Sequence, residues 1–170
     1  YPAYIDSMTS YDGAIWYLGG SVSPDLGHIL ICYNTAWMEQ LGAEVPTTLD
    51  EFYNMLVAFR DELGCTIPLS SDWWDEVLLD YGFCTTEYGL VCAAGYQVDG
   101  QYHYGAYEEE YRGVLGYLNQ LYSEGLLDPN FNTTDEATSQ ANLLTGKTGA
   151  HPGRPGARRA QKGTARRFCV

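Results

Sequence analysis

The chain has 170 residues, 45% hydrophobic and 14% aromatic, enough to bury a core and too apolar for disorder by composition. Its formal charge of −13 is unevenly spread: residues 1–150 hold all 22 acidic residues against Arg60, Arg112 and Lys147, a net of −19, while residues 151–170 hold six basic and no acidic residues. Such a body repels nucleic acid and anionic membrane, and no apolar run approaches the ~20 residues that span a bilayer.

Residues 1–27 are rich in Gly, Ser and aromatics. Asp12-Gly13 predicts a turn leading into a short strand through Leu18. The run His28–Asn34 is apolar and β-branched, as a buried strand requires. Thr35 offers a cap for a short helix over 36–41, which Gly42 ends. Thr48 and Glu51 form a capping box, and Leu49, Phe52, Leu56, Phe59 and Leu63 repeat at three and four residues along one face. Gly64 stops that helix. Ile67-Pro68-Leu69 reads as a brief strand. Ser70-Ser71-Asp72 then caps a helix over Trp73–Phe83, and another short helix is expected over Glu87–Ala94.

Asp99-Gly100 makes a turn before a strand at Gln101–Tyr104. Glu108–Glu110 start a helix whose apolar face runs from Tyr107 to Tyr122, with Gly125 as its stop. Asp128-Pro129-Asn130 turns the chain, a last helix begins at Thr134 or Asp135 and runs to about Leu144, and Lys147–Ala150 begins a strand. The order mixes strands with longer helices, which predicts an α/β fold. Residues 151–170 lack any periodic apolar pattern and are expected to form a disordered basic tail.

Cys32, Cys65, Cys84, Cys92 and Cys169 form no CxxC, and no His lies near a Cys pair. A zinc site is therefore not expected, and the odd count and wide spacing favour buried thiols over a disulfide framework. Asp128-x-Asn130-x-Asn132 mimics the start of a calcium loop but puts Thr133 where Gly is needed and Ser139 where Glu is needed. Gly146-Lys147-Thr148 mimics the end of a phosphate loop, yet Ala141 stands where the upstream Gly belongs. No nucleophile–base pair is visible, and neither metal nor cofactor is expected.

Three segments carry a resemblance. Gly27 through Tyr33-Asn34 and Trp37 to Gly42 is followed by Val45-Pro46-Thr47-Thr48-Leu49-Asp50-Glu51-Phe52. Ile67-Pro68-Leu69-Ser70 precedes the double Trp. Asp99-Gly100, Tyr104-Gly105, Tyr117-Leu118-Asn119, Leu121 to Leu126, Asp128-Pro129, Thr133-Thr134-Asp135 and Gly146 to Gly149 recur in order. Together with Asp12 to Trp16, over roughly residues 10–150, the chain resembles the extracellular solute-binding proteins of ABC importers, of the sugar and oligosaccharide type.

The resemblance implies a periplasmic-binding-protein-like α/β fold (type II), in which two lobes close on a ligand about a hinge. Residues 1–27 would be the edge of the first lobe and the approach to the hinge, and 28–150 an incomplete second lobe. The chain, starting at Tyr1 without Met or signal peptide, reads as a fragment, and it is expected to aggregate or pack loosely by itself. The likeness stops at Ala150. The Arg/Gly/Ala/Pro text beyond is what a shifted reading frame in GC-rich DNA yields, so residues 151–170 are expected to be non-native; a genuine basic tail that binds anions or nucleic acid is the alternative, which an intact frame through His151 would favour.

Sugars bind flat aromatic faces through their C–H surfaces and polar groups through their hydroxyls. The resemblance places Trp73 and Trp74 at a junction that faces the cleft; adjacent helical residues cannot share one face, so one ring would meet ligand and the other pack inward. Asp72 either accepts sugar hydroxyls or caps the helix. Tyr33 and Asn34, at the end of the crossover strand, are expected near the hinge, with packing the alternative for Tyr33. Trp16 would stack from the first-lobe side. The implied function is capture of a carbohydrate, expected to be an oligosaccharide, outside the cell, and its delivery to a membrane permease. The full-length protein is expected to be a monomer, secreted, periplasmic or lipid-anchored to the outer face of the cytoplasmic membrane. A peptide or other polar solute, a carbohydrate-active hydrolase with paired carboxylates, and a structural surface protein are the rival readings.

Overall fold

The computed structural model describes residues 5, 9–15, 30–70, 88–89 and 93–153. Near the start, Thr9 and Ile15 bridge across the Asp12-Gly13 turn, where the Gly13 N–H donates to the Ser10 carbonyl at 2.8 Å.

The central sheet has three strands. Strand β1 (Leu30–Tyr33) leads through Asn34 into helix α1 (Thr35–Leu41), and α2 (Leu49–Asp61) precedes β2 (Ile67–Leu69). After the hairpin of β3 (Gly95–Val98) and β4 (Gln101–Tyr104) come a 3₁₀ turn at Gly105–Tyr107, α3 (Glu109–Ser123), α4 (Glu136–Leu144) and β5 (Thr148–Gly153). Strand β5 is the middle strand. It pairs antiparallel with β1, Leu30 opposite Gly153 and Tyr33 opposite Ala150, and parallel with β2, Leu69 opposite Ala150. A further parallel bridge joins Leu69 to Leu127.

Local chemistry explains the elements. The side chain of Thr48 accepts from the Glu51 N–H at 3.2 Å, and the Glu51 carboxylate accepts from the Thr47 and Thr48 N–H groups, so the expected capping box starts α2. Asn34, one residue before the expected cap, starts α1 by accepting from the Trp37 N–H at 3.4 Å. Asp135 caps α4 at the Thr138 N–H, 2.8 Å. Asp99 (φ 51°) and Gly100 (φ 77°) form the two-residue turn of the hairpin, since both central positions need positive φ and Asp and Gly tolerate it. Strand β3 was not foreseen; Gly95 and Gln97 give it no alternating apolar signature. Of the helix expected over Glu87–Ala94, the described residues form a turn at 88–89 and a bend at 93–94, and the rest lies outside the described residues.

The core sits between α2, α3 and the sheet. Phe52, Leu56 and Phe59 of α2 meet Leu69, Val114, Leu121 and Leu126, all at most 2% exposed. Phe59 packs closely on β5 at Gly149: a Cβ there would overlap its ring, coming within 3.0 Å of Cγ, so only glycine permits this approach. Tyr53 donates to the Glu124 carboxylate at 2.5 Å and Arg60 to the Glu124 carbonyl at 2.7 Å, tying α2 to the end of α3. Among the described residues no helix is long and apolar enough to cross a membrane.

Two expectations are corrected. The tail does not begin at His151: His151, Pro152 and Gly153 complete β5 and pair with β1, because ladder pairing uses main-chain groups and depends little on side-chain type, Pro152 offering its carbonyl alone. Residues 154–170 lie outside the described residues. Cys32 is disulfide-bonded rather than a buried thiol, whereas Cys65 is a buried free thiol, as expected. Wide sequence spacing says little about which strands a fold brings together.

Candidate functional site

In open α/β sheets, ligands bind beyond the carboxyl ends of parallel strands. Here those ends belong to β2 and β5, and a buried polar cluster forms where β2 finishes, beside Ala150 and His151 of β5. Ser70, the residue after β2, is 0% exposed. Its N–H donates to the Ala150 carbonyl at 3.2 Å and its hydroxyl to Asp128 Oδ2 at 3.2 Å, while its carbonyl lies 3.0 Å from His151 Nδ1. All three polar groups of Ser70 are thereby used.

Asp128 is 2% exposed. Its Oδ1 accepts from the Asn130 N–H at 2.9 Å, and its Oδ2 accepts from Thr134 Oγ1 at 3.1 Å as well as from Ser70. Its own N–H donates to the Leu69 carbonyl at 2.8 Å, fixing the turn to the end of β2. A buried carboxylate needs such donors when no cation is near. Since a carbonyl only accepts, the Nδ1 of His151 carries the proton that meets Ser70, and Ser139 Oγ, 3.2 Å from the same nitrogen, lies on the same side. The described residues contain no group of three or more metal-ligating side chains.

Comparison with known proteins places the fold. No family model matches the chain. Lipoprotein LipO of Bacillus subtilis is 26% identical over 140 residues, which is 74% of this chain and 26% of that protein. An HMO-binding ABC-transporter-associated solute-binding protein from Bifidobacterium longum infantis superposes with a TM-score of 0.71 at 24% identity, covering 89% of this chain and 35% of that one. The substrate-binding protein FusA of S. pneumoniae, in complex with kestose, gives 0.72 at 23% identity, with 99% and 37% covered. A sugar transporter from Arthrobacter chlorophenolicus with bound laminaribiose gives 0.74 at 15% identity, with 99% and 41% covered. The fold is that of the periplasmic solute-binding proteins. The chain spans about a quarter of the length of that lipoprotein and little more than a third of the solved structures it matches.

Within this solute-binding fold, the sequence-chosen residues fall into two groups. Trp16, Asp72, Trp73 and Trp74 lie outside the described residues; Asp72, Trp73 and Trp74 follow Ser70 in sequence by two to four positions. Tyr33 and Asn34 are described: Tyr33 lies opposite Ala150 of β5, the residue whose carbonyl accepts from the Ser70 N–H. The end of β1 beside Gly153 is Leu30, so Tyr33 and Asn34 stand at the opposite end of the strand from the outgoing chain.

Tyr33 is 8% exposed and packs edge-on against Phe52, ring centroids 6.4 Å apart, which is the packing alternative. Burial pushes its phenol up to about 12. It also lines a hollow of about 380 Å³ with Met38, Gly42 and Val45, beside α1. Asn34 caps α1, and its N–H donates to the Gly149 carbonyl at 2.9 Å. Sequence reasoning missed Ser70, Asp128 and Ser139 as a cluster. The available signal was the Asp128–Asn130 turn, in which an Asp side chain accepts the N–H two residues on.

Proposed function

We propose that this chain supplies one wall of a cleft that captures a carbohydrate outside the cell and passes it to the membrane permease of an ABC importer. The observation that carries this is the shared fold with solute-binding proteins, several of them named for saccharides, combined with a fixed polar cluster at the carboxyl end of β2. Ligand bridging two lobes favours the closed state, and capture needs no bond to be made or broken. In this reading Asp72, Trp73 and Trp74 meet the ligand from the segment that Ser70 anchors, Trp16 meets it from the other lobe, and Tyr33 and Asn34 serve the frame. The whole protein acts as a monomer and is lipid-anchored to the outer face of the cytoplasmic membrane.

The test is a panel of neutral oligosaccharides, kestose and laminaribiose among them, followed by thermal shift and by product analysis. A saturating ligand at about a hundred times its Kd stabilises a folded protein by about 2.7 kcal/mol, an easily read rise in Tm. The expected result is a rise with the glycan recovered intact. Cleaved glycan would establish a hydrolase instead, and a shift only with peptides would move the reading to peptide capture.

A further inference from the structure

We propose that the outer face of the β3–β4 hairpin is a carbohydrate site of its own, an aromatic platform that holds a glycan chain against the surface. It goes beyond the cleft reading and does not depend on it. The hairpin is a separate two-stranded sheet. Side chains alternate between the faces of a strand, so Tyr102 and Tyr104 of β4 share one face with Gln97 and Gly95, their partners across the ladder. On the other face Tyr96 stacks on His103, ring centroids 5.2 Å apart, and the Glu108 carboxylate, just before α3, holds the hydroxyl of one and the Nδ1 of the other. The tyrosine face is turned to solvent. Tyr102 is 77% exposed, Tyr104 49%, and Tyr107, which touches Tyr104 at a centroid distance of 5.4 Å, 90%.

Gly95 shows that the platform is built. A Cβ there would come 1.8 Å from the Tyr102 hydroxyl oxygen and 2.6 Å from its Cζ, so the ring lies across the glycine, diagonal to it in the ladder. Glycine weakens a strand and is usually kept where the backbone needs positive φ. Gly95 has no positive φ, so what it provides is the bed for Tyr102. A ring already held in place loses little entropy when a ligand settles on it. The hydroxyls of Tyr53, Tyr96 and Tyr117 donate within the fold, whereas those of Tyr102, Tyr104 and Tyr107 have no partner among the described residues.

The size of the patch selects its occupant. At about 200 Å² per tyrosine, the three expose about 400 Å². Each partner of a stable protein complex buries about 800 Å², so the patch is half of a protein docking site. A few sugar rings cover it. A β-glucan suits it, because equatorial hydroxyls leave C–H groups on both faces of each ring to stack on tyrosine. The sugar hydroxyls then meet the tyrosine hydroxyls and the Gln97 amide, which donate and accept. One stacked unit adds little by itself, so the platform favours a chain over a disaccharide. Single-stranded nucleic acid also stacks on tyrosines, but a body at −19 repels it.

The test is affinity electrophoresis of the full chain in native gels cast with increasing laminarin, a soluble β-glucan. Laminarin should slow the parent. Y102A/Y107A, altered only at exposed side chains, should bind at least about tenfold more weakly with Tm unchanged. Gly95→Val keeps every ring and improves strand propensity, yet lifts Tyr102 off its bed; binding should fall about threefold while Tm holds or rises. W73A/W74A, which removes the rings assigned to the cleft, should still be slowed. Retardation lost in W73A/W74A but intact in both platform variants overturns the platform and leaves the cleft reading standing. A parent that laminarin does not slow also overturns it, and the thermal-shift panel of short glycans then judges the cleft separately. Should W73A/W74A not fold, the platform variants decide. A dimer in sedimentation velocity that Gly95→Val disperses, with laminarin migration unchanged, would make the patch a contact between copies and overturn the proposal.

Discussion

At Tyr33 one side chain records what burial does to a titrating group. Its ring packs against Phe52, and desolvation pushes the phenol up to about 12 from 10.0. The folded chain therefore keeps this proton between pH 10 and 12 while the unfolded chain releases it. Stability is unaffected below about pH 10 and falls as pH climbs through that window, by about 2 kcal/mol at the upper end. Burial raises the Cys65 thiol too and adds in the same direction. Tyr33→Phe keeps the ring contact and removes the ionisation. Chemical denaturation at pH 8 and pH 11 should show the variant near the parent at the lower pH and more stable at the higher; equal alkaline losses would contradict the assignment. The sequence placed Tyr33 at the end of a strand but left open whether its ring met ligand or core. That choice depends on the partner at Phe52, nineteen residues away, and no local pattern encodes it.

Among the elements, those with local signals were legible and those held by distant partners were not. The capping box at Thr48 and Glu51, the Asp99-Gly100 turn and the cap at Asp135 act within four residues, so spacing reveals them. Strand β3 exists through pairing with β4, and the last half of β5 through pairing with β1. The caps also predict acid behaviour. The N–H and hydroxyl of Thr47 hold the Glu51 carboxyl below its usual range, and the side chain and N–H of Thr138 do the same for Asp135. Their stabilisation is complete above the ordinary carboxylate values and is lost as pH falls through the lowered ones. The variant E51Q/D135N retains an accepting oxygen at each cap but no titration. Its Tm at pH 7 should stay near the parent's, and its acid-unfolding midpoint should move to lower pH, with Asp61, lowered by Arg60, still titrating. An unmoved acid midpoint would show that the caps do not control that limb.

For the whole molecule, the charge distribution outweighs any single pair. Residues 1–150 carry −19, and the Arg60–Asp61 and Arg112–Glu109 ion pairs lie at the surface. Such pairs contribute little, so self-repulsion of the acidic body is the larger electrostatic effect. Raising NaCl from about 10 mM to about 0.2 M shortens the Debye length to below about 10 Å and should raise Tm; a fall would mean that attractive pairs dominate. The α/β order and the solute-binding fold were readable from element order and a long, weak string of motifs. The polar cluster at the end of β2 was not, because Ser70, Asp128 and His151 stand 58 and 81 residues apart and meet only once the sheet has formed.

The pairing of Leu30 with Gly153 has a topological consequence. Ladder partners in an antiparallel pair have Cα atoms about 5 Å apart, so the chain enters and leaves this unit at nearly one point. The segment 30–153 is thus a loop-like insert with its two ends side by side, the arrangement that domain grafting and circular permutation require. Spliced between the halves of a fluorescent reporter, it would pull on both halves through the same pair of residues.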